Sequence, residues 1–166
     1  PSRCFLGIQP GHRHFRDLNE GSQIHAIEGV IIYRFSSNLF FGNIQVLQRD
    51  IEDSIKPDTK AVILDAGGVG SIDITAADRL AMLYKSLEDK GIRFYITEHI
   101  AKINEQLRTL GLGYMIEEGR VRRTIHIALK DMGIGRPYPL EGGVENEERS
   151  ASRKRVDNKV QEFVWA

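Results

Sequence analysis

Apolar residues along this chain fall into short unbroken runs and into stripes repeated every three or four positions. Unbroken runs bounded by charges or glycines are typical of buried strands, and the repeat is typical of amphipathic helices. The pattern predicts strands at residues 24–27, 30–35, 61–64, 92–97 and 114–116. It predicts helices at residues 44–55, after Asn43 as N-cap, and at 74–90, 100–110 and 121–132.

The order of these elements predicts the fold class. The first two strands are separated by Glu28-Gly29, which is the two-residue spacing of a tight hairpin. Strands and helices then alternate, which indicates an α/β fold with a mixed central β-sheet whose later strands are parallel. We expect the helices mainly on one face, because the N-terminal strands alternate polar and apolar positions more than the later ones.

The best candidate for a functional surface follows the strand at residues 61–64. Asp65, Gly67, Gly68 and Gly70 come directly after it and lead into a helix. In open α/β sheets, ligands collect at this carboxyl end of the strands. The glycine spacing matches neither nucleotide fingerprint, because position 73 is Asp and no Lys-Ser/Thr follows. A nucleotide site and a turn that needs glycines to leave the sheet are both kept as interpretations.

Polar side chains continue along the same segment, residues 67–78, which we call the tip. Thr75 and Asp78 have the spacing of a helix capping box. A hydroxyl at a helix N-terminus is also a well-placed phosphoacceptor, although Asp73 and Asp78 would oppose the phosphate by like charge. Thr75, Asp73 and Ser71 are therefore the candidate phosphoacceptor or regulatory residues. The candidate contacts for a nucleotide or a protein partner are Asp65, Gly67, Gly68, Gly70 and Asp78.

Composition removes several classes of function. Lys plus Arg and Asp plus Glu are 23 each, so no long-range field favours nucleic acid as a partner. Hydrophobic content of 41% and charged content of 28% in 166 residues suit one globular domain. The single cysteine, Cys4, cannot form an internal disulfide. No apolar run approaches the roughly 20 residues that span a bilayer.

No catalytic residue, cofactor or metal is expected. The G-x-S-x-G arrangement of a hydrolase nucleophile is missing. His12 and His14 would point the same way on a strand, but no cluster of further metal ligands accompanies them.

Two flanking segments have open interpretations. Leu39-Phe40-Phe41, before the first helix, either plugs the core or lines a contact surface. The composition changes from Gly133, and residues 136–166 are expected to form a charged, solvated tail in which Phe163 and Trp165 are candidates for docking.

Residues 30–132 resemble a STAS domain. That family includes bacterial anti-sigma factor antagonists and the cytoplasmic C-terminal domain of SulP anion permeases. The resemblance is carried by the Val62-Ile63-Leu64-Asp65 strand and the turn at Ser71-Ile72-Asp73-Ile74-Thr75-Ala76. Asp73 and Thr75 match the family's Asp and phosphoacceptor positions, whereas Ile74 and Ala76 replace its small polar residue and glycine.

The preceding segment is similar to the permease branch of that family. Leu6-Gly7, Pro10-Gly11 and Phe15-Arg16-Asp17 look like the linker between the last transmembrane helix and the STAS domain. Leu39-x-Phe41-x-Asn43 looks like the L-x-F-x-N stretch of permease STAS domains. The resemblance divides the chain into a linker or N-terminal arm at 1–22, a STAS domain at 23–135 and a charged tail at 136–166.

The resemblance implies the cytoplasmic regulatory STAS domain of a secondary sulfate or anion transporter, non-catalytic and acting through protein contacts at the tip. It would lie at the cytoplasmic face of the inner (plasma) membrane, while the fragment itself is soluble. The implied partners are its own transmembrane permease domain, a regulatory protein, and a second copy in a homodimer of the full-length transporter. The glycine pattern of the tip adds a weakly bound nucleotide as a further candidate partner. The alternative is a free-standing anti-sigma factor antagonist switched by phosphorylation at Thr75.

Overall fold

A computed structural model of the chain describes residues 2–143. The strands are β1 (Ser2–Gly7), β2 (Arg16–Asp17), β3 (Val30–Ser36), β4 (Ala61–Asp65) and β5 (Arg93–Thr97). The helices are α1 (Ile44–Ser54), α2 (Ile74–Asp89), α3 (Ala101–Thr109), α4 (Gly113–Glu117) and α5 (Ile125–Asp131). Short 3-10 turns lie at Leu18–Glu20 and Glu141–Gly143. Phe163, Trp165 and the rest of the tail from residue 144 lie outside the described residues.

The strands form one mixed sheet in the order β2-β1-β3-β4-β5. β3, β4 and β5 run parallel, and β1 runs antiparallel to both of its neighbours. The α/β prediction of a mixed sheet with parallel later strands is confirmed. The carboxyl ends of β3, β4 and β5 therefore meet at one edge, which is where the tip begins.

The predicted hairpin at Glu28-Gly29 is wrong. β1 takes the free edge of β3 through an antiparallel ladder that runs from Ser2↔Ser36 to Leu6↔Ile32. Residues 24–27 make only isolated bridges, from His25 to Ile8 and from Ile27 to Leu140. The segment before residue 22 thus supplies two strands of the sheet, while the division of the chain at that residue stays a prediction.

Both faces of the sheet are apolar, and the helices are shared unequally between them. Helices α1 to α4 pack on one face, through side chains such as Leu47, Leu80 and Leu107. The other face is covered by α5 and by the segment that contains Tyr138 and Leu140. This agrees with the expectation of helices mainly on one face. All five residues of β4 are buried, because the strand is central and covered on both sides.

Two local predictions in the C-terminal half are also wrong. Residues 114–116 belong to helix α4 and not to an edge strand, since Met115 packs into the helical face of the core. A three-residue apolar run cannot distinguish these two cases by its period. Val121 pairs with Ile96 beside β5, and α5 begins only at Ile125, where the hydroxyl of Thr124 accepts a hydrogen bond from the Ile127 N–H at 3.1 Å.

Candidate functional site

The tip starts from a buried carboxylate at the end of β4. Asp65 is 5% exposed, and its Oδ2 accepts a hydrogen bond from Arg34 Nε on β3 at 3.0 Å. Its Oδ1 accepts a second one from the backbone N–H of Gly67, also at 3.0 Å. A buried carboxylate is stable only when it is paired and hydrogen-bonded, and both conditions are met here. The same contacts fix the position of the first residue of the tip.

The glycines of the tip allow it to pack closely against the end of β3 and the loop that follows it. A Cβ added to Gly68 would lie 2.6 Å from Ser36 Cβ and 2.8 Å from Ser36 Cα. A Cβ on Gly70 would lie 2.7 Å from Oδ1 of Asn38, the oxygen that accepts a hydrogen bond from the Gly70 N–H. The N–H groups of Gly67 and Gly70 therefore already have protein acceptors, and a bound phosphate would have to displace them.

The second half of the tip is held by two neighbouring segments. The N–H of Leu39 donates to the Ser71 carbonyl, and the N–H of Asp73 donates to the Leu39 carbonyl, both at 2.9 Å. From the other side, Oε1 of Gln106 on α3 accepts a hydrogen bond from the Ile72 N–H at 2.8 Å. The tip is consequently a fixed part of the fold, since its backbone is bonded on both sides.

Asp73 is the N-cap of α2. Its Oδ1 accepts a hydrogen bond from the Ala76 N–H at 2.8 Å. The predicted capping box of Thr75 with Asp78 is wrong, because α2 starts at Ile74 and Thr75 already lies inside its first turn. The side chains of Thr75 and Asp78 are exposed on that part of the helix, whereas Ser71 is half-buried.

Apolar side chains surround the start of α2 at the surface. Phe41 is 71% exposed, Ile74 67% and Phe40 42%. The two phenylalanine rings meet edge to face with centroids 5.9 Å apart, and the N–H of Phe41 donates to Oδ2 of Asp73 at 3.4 Å. We call Phe40, Phe41 and Ile74 the tip patch. Leu39, by contrast, is buried, so this segment both plugs the core and forms a surface.

A family model described as the STAS domain matches residues 22–128, more than half of the chain. The chain belongs to the STAS domain family. A probable sulfate transporter of Mycobacterium tuberculosis (strain H37Rv) is 27% identical to it over 133 residues. That match covers 78% of this chain but 24% of the relative, so the STAS domain described here spans about a quarter of that transporter's length.

Solved structures share the fold of this STAS domain. The murine anion transporter Solute Carrier 26 family member A9 superimposes with a TM-score of 0.72 at 19% identity, over 79% of this chain and 22% of the transporter. A putative anti-sigma factor antagonist from Thermotoga maritima superimposes with a TM-score of 0.54 at 20% identity, over 63% of this chain and 88% of that protein. The expected likeness to both branches of the family is confirmed at the level of the fold.

The sequence missed three residues that hold the tip of this STAS domain in place. Arg34 pairs with Asp65, and Asn38 and Gln106 supply side-chain acceptors to backbone N–H groups of the tip. Only Arg34 leaves a signal in the sequence, as a charge inside an apolar strand. The other two lie outside the tip in the chain, and only the fold brings them to it.

Two kinds of feature are absent from the part of the chain that the structure describes. No helix there has both the length and the apolar content needed to cross a bilayer. Within residues 2–143, no group of three or more His, Cys, Asp or Glu side chains is arranged to hold a metal ion.

Proposed function

We propose that this chain is the cytoplasmic regulatory STAS domain of a secondary sulfate or related anion transporter, and that it acts through protein contacts at the tip. The curated relative in Mycobacterium tuberculosis carries the name of a probable sulfate transporter and is several times longer than the match. A missing membrane domain would then perform transport and would be the principal partner. Its cytoplasmic location and any homodimer contacts would follow from that larger protein.

The exposed tip patch is the observation that carries the contact role. Phe41 and Ile74 are each more than 60% exposed. Their backbones are fixed by the contacts of Asp73 and Leu39. Exposed apolar side chains that cluster on a rigid support are typical of protein interaction sites. We therefore assign the tip patch as the surface that meets the permease domain or a regulatory protein.

The chemistry of the tip supports a non-catalytic role. The Asp65 carboxylate is engaged by Arg34 and Gly67, and the Asp73 carboxylate is engaged by Ala76 and Phe41. Carboxylates used in this way position backbone and are poorly placed to transfer protons. The tip is thus better suited to contact a partner than to catalyse a reaction.

The coding sequence upstream of Pro1 tests the transporter assignment. We expect it to encode a membrane domain with many apolar stretches of about 20 residues each. A start codon directly before the codon for Pro1 would contradict the proposal.

Substitutions in the full-length transporter test the role of the tip patch. Phe41→Ser and Ile74→Ser should lower anion uptake several-fold, because they remove apolar contact area without touching the core. Met82→Ser is the matched control, since Met82 is 61% exposed on the same helix but lies two turns away. Unchanged uptake in both tip variants, at equal expression, would exclude the tip patch as a functional contact.

The exposed hydroxyl of Thr75 favours a second candidate, a free-standing anti-sigma factor antagonist switched by phosphorylation. Incubating the chain with cell extract and ATP, followed by intact mass measurement, should then add one phosphate that is lost in Thr75→Ala. Ser71→Ala serves as the control variant. A phosphate that survives Thr75→Ala would show that this residue is not the acceptor.

A further inference from the structure

A polar cleft opens beside Asp65 on the face of the sheet opposite to the tip. Arg34 alternates along β3 with Tyr33 and Phe35, which belong to the core under α1 to α4, so its side chain faces the other way. The cleft has a volume of about 370 Å³. We call it the arginine cleft, because its walls include Arg13, Arg34 and Arg136.

The two carboxylates in the walls of the arginine cleft are already used. Asp65 accepts from Arg34 and from Gly67. Glu98 accepts a hydrogen bond from the Ile125 N–H at 2.9 Å. Three guanidinium groups against two carboxylates leave the cleft with a net positive formal charge. Each acid thus has at least one protein donor, and the guanidinium groups outnumber the carboxylates.

The three guanidinium groups have terminal N–H donors that are not used in ion pairs among the described residues. Arg34 meets Asp65 through Nε. Among residues 3–143, the ion pairs of the structure include neither Arg13 nor Arg136. Nη2 of Arg136 lies against the ring of His126, 3.2 Å from Nε2 and 3.3 Å from Nδ1. These three side chains can therefore turn donors towards an anion in the cleft.

His126 contacts the two chain segments that carry Arg13 and Arg136. Its Nε2 lies 3.0 Å from the carbonyl oxygen of Arg13 and therefore donates to it. Its Nδ1 lies 2.5 Å from the hydroxyl of Tyr138, two residues after Arg136. Phe15 packs on the same ring with centroids 5.0 Å apart. One side chain thus holds both flanks of the cleft, which lowers the entropy that binding would cost.

We propose that the arginine cleft binds a doubly charged oxyanion group, sulfate or phosphate, either as the free ion or at the end of a larger molecule. The planar guanidinium presents paired N–H donors that match two oxygens of such a group. Half-buried Phe15 forms an apolar part of the wall that the remainder of a larger molecule would contact. This site goes beyond the proposed function, since it does not depend on any contact at the tip patch.

Titration of the isotopically labelled 166-residue chain tests the proposal. Sodium sulfate, sodium phosphate and glycerol 3-phosphate are added at constant ionic strength, with sodium chloride as the reference. We expect saturating NMR shifts at Arg13, Arg34, Arg136 and the His126 ring, with a dissociation constant on the order of 1 mM. Shifts that grow linearly without saturation, or that match those in chloride, would overturn the proposal.

Matched variants distinguish a site from general screening. Arg136→Gln and Arg13→Gln should each weaken binding by about tenfold, because each removes one charged donor from an exposed position. Arg49→Gln is the control, since Arg49 is exposed on α1, on the other face of the sheet. Equal weakening in all three variants would mean that net charge alone attracts the anion, and the site would be rejected.

The three anions also identify the source of the oxyanion. Equal affinity for inorganic ions and glycerol 3-phosphate indicates a site for the free ion. Tighter binding of glycerol 3-phosphate indicates the end group of a larger molecule, and both results support the proposal. A second readout is the pKa of His126, which burial and then the charge of Arg136 lower. An anion bound to Arg136 should raise it relative to chloride, and an unchanged pKa at saturation would contradict binding there.

Discussion

The tip and the arginine cleft lie on opposite sides of the same sheet edge, and they are built in opposite ways. The tip is one continuous stretch of chain, and its surface includes the exposed apolar side chain of Ile74, beside exposed Phe41. The cleft collects segments that are far apart in the sequence, so that His126 contacts the carbonyl of Arg13, 113 positions away. Its walls carry the guanidinium groups of Arg13, Arg34 and Arg136, which are cationic hydrogen-bond donors.

This difference explains what each surface is suited to bind. When a protein partner covers an apolar patch on a fixed backbone, apolar surface is removed from water, and this lowers the free energy of the complex. A concave cluster of guanidinium groups gains most from a compact anion with several oxygens. The two surfaces share Asp65. Some variants should therefore disturb one surface and leave the other intact, whereas a variant at Asp65 should disturb both.

The largest effect is expected at the shared residue. Asp65→Ala should lower the free energy of unfolding by about 3 kcal/mol, because it leaves Arg34 and the Gly67 N–H without their acceptors. Urea denaturation measures it. Asp78→Ala, at an exposed position on α2, should change stability by less than about 0.5 kcal/mol. Equal effects of the two variants would mean that Asp65 does not connect the two surfaces.

A somewhat smaller effect should be confined to the tip. Gly68→Ala should cost about 2 kcal/mol, because the new Cβ would overlap Ser36, including its Cα. Gly135→Ala is the control, since a Cβ there meets nothing within 4 Å. Thermal unfolding gives the stability, and sulfate titration should still shift the Arg136 signals. Loss of those shifts would show that the tip and the cleft are not separable in this way.

The N-cap of α2 allows a finer test within the tip. Asp73→Ala should destabilise the chain by about 1 kcal/mol, because it removes the acceptor for the Ala76 N–H. Thr75→Ala should stay within about 0.5 kcal/mol, since its hydroxyl is exposed. Denaturation of the two variants side by side measures the difference. A larger loss of stability in Thr75→Ala than in Asp73→Ala would instead support the capping box that the sequence predicts.

The smallest effect is a dependence on pH that belongs to the cleft. Burial, and then the charge of Arg136, lower the pKa of His126 below its ordinary value of 6.5, and His14 acts in the same direction. The unfolded chain therefore takes up the proton first as the pH falls, and stability that is full above pH 6.5 declines below it.

Comparison of the wild-type chain with His126→Gln isolates this contribution. Unfolding is measured between about pH 7.5 and pH 5.5, and the decline should be smaller in the variant. His99 has a pKa lowered by burial and contributes in the same direction in both proteins, so it cancels in the difference. An identical decline in the two proteins would assign the pH dependence to other groups.

The elements around the tip were predictable because they are local. β4 and the start of α2 match the sequence prediction to within a residue, since an apolar run and a helical stripe carry their own period. The choice of N-cap was missed because it depends on backbone angles: Asp73 is extended, with φ −85° and ψ 169°, and Thr75 is already inside the helix. Polar residues two positions apart cannot be ranked without those angles.

The first strand and the cleft could not be predicted because they depend on the path of the chain. β1 contains Arg3 and Cys4 among its apolar residues and looks like part of an irregular arm until it pairs with β3. Arg13 and Arg136 have no common pattern in the sequence, and they come together only because the loop after β1 and the segment after α5 cover the same face. Sites of this kind can be predicted only after the topology of the fold is known.

The two hydrogen bonds of Asp65 have a consequence for variant screens. One oxygen serves the ion pair at the cleft, and the other serves the first N–H of the tip. A collection of random variants scored separately for partner contact and for anion binding should contain two groups that fail in one assay only. Asp65 should stand in the small third group that fails in both, so a phenotype at this residue is uninformative about which surface is responsible.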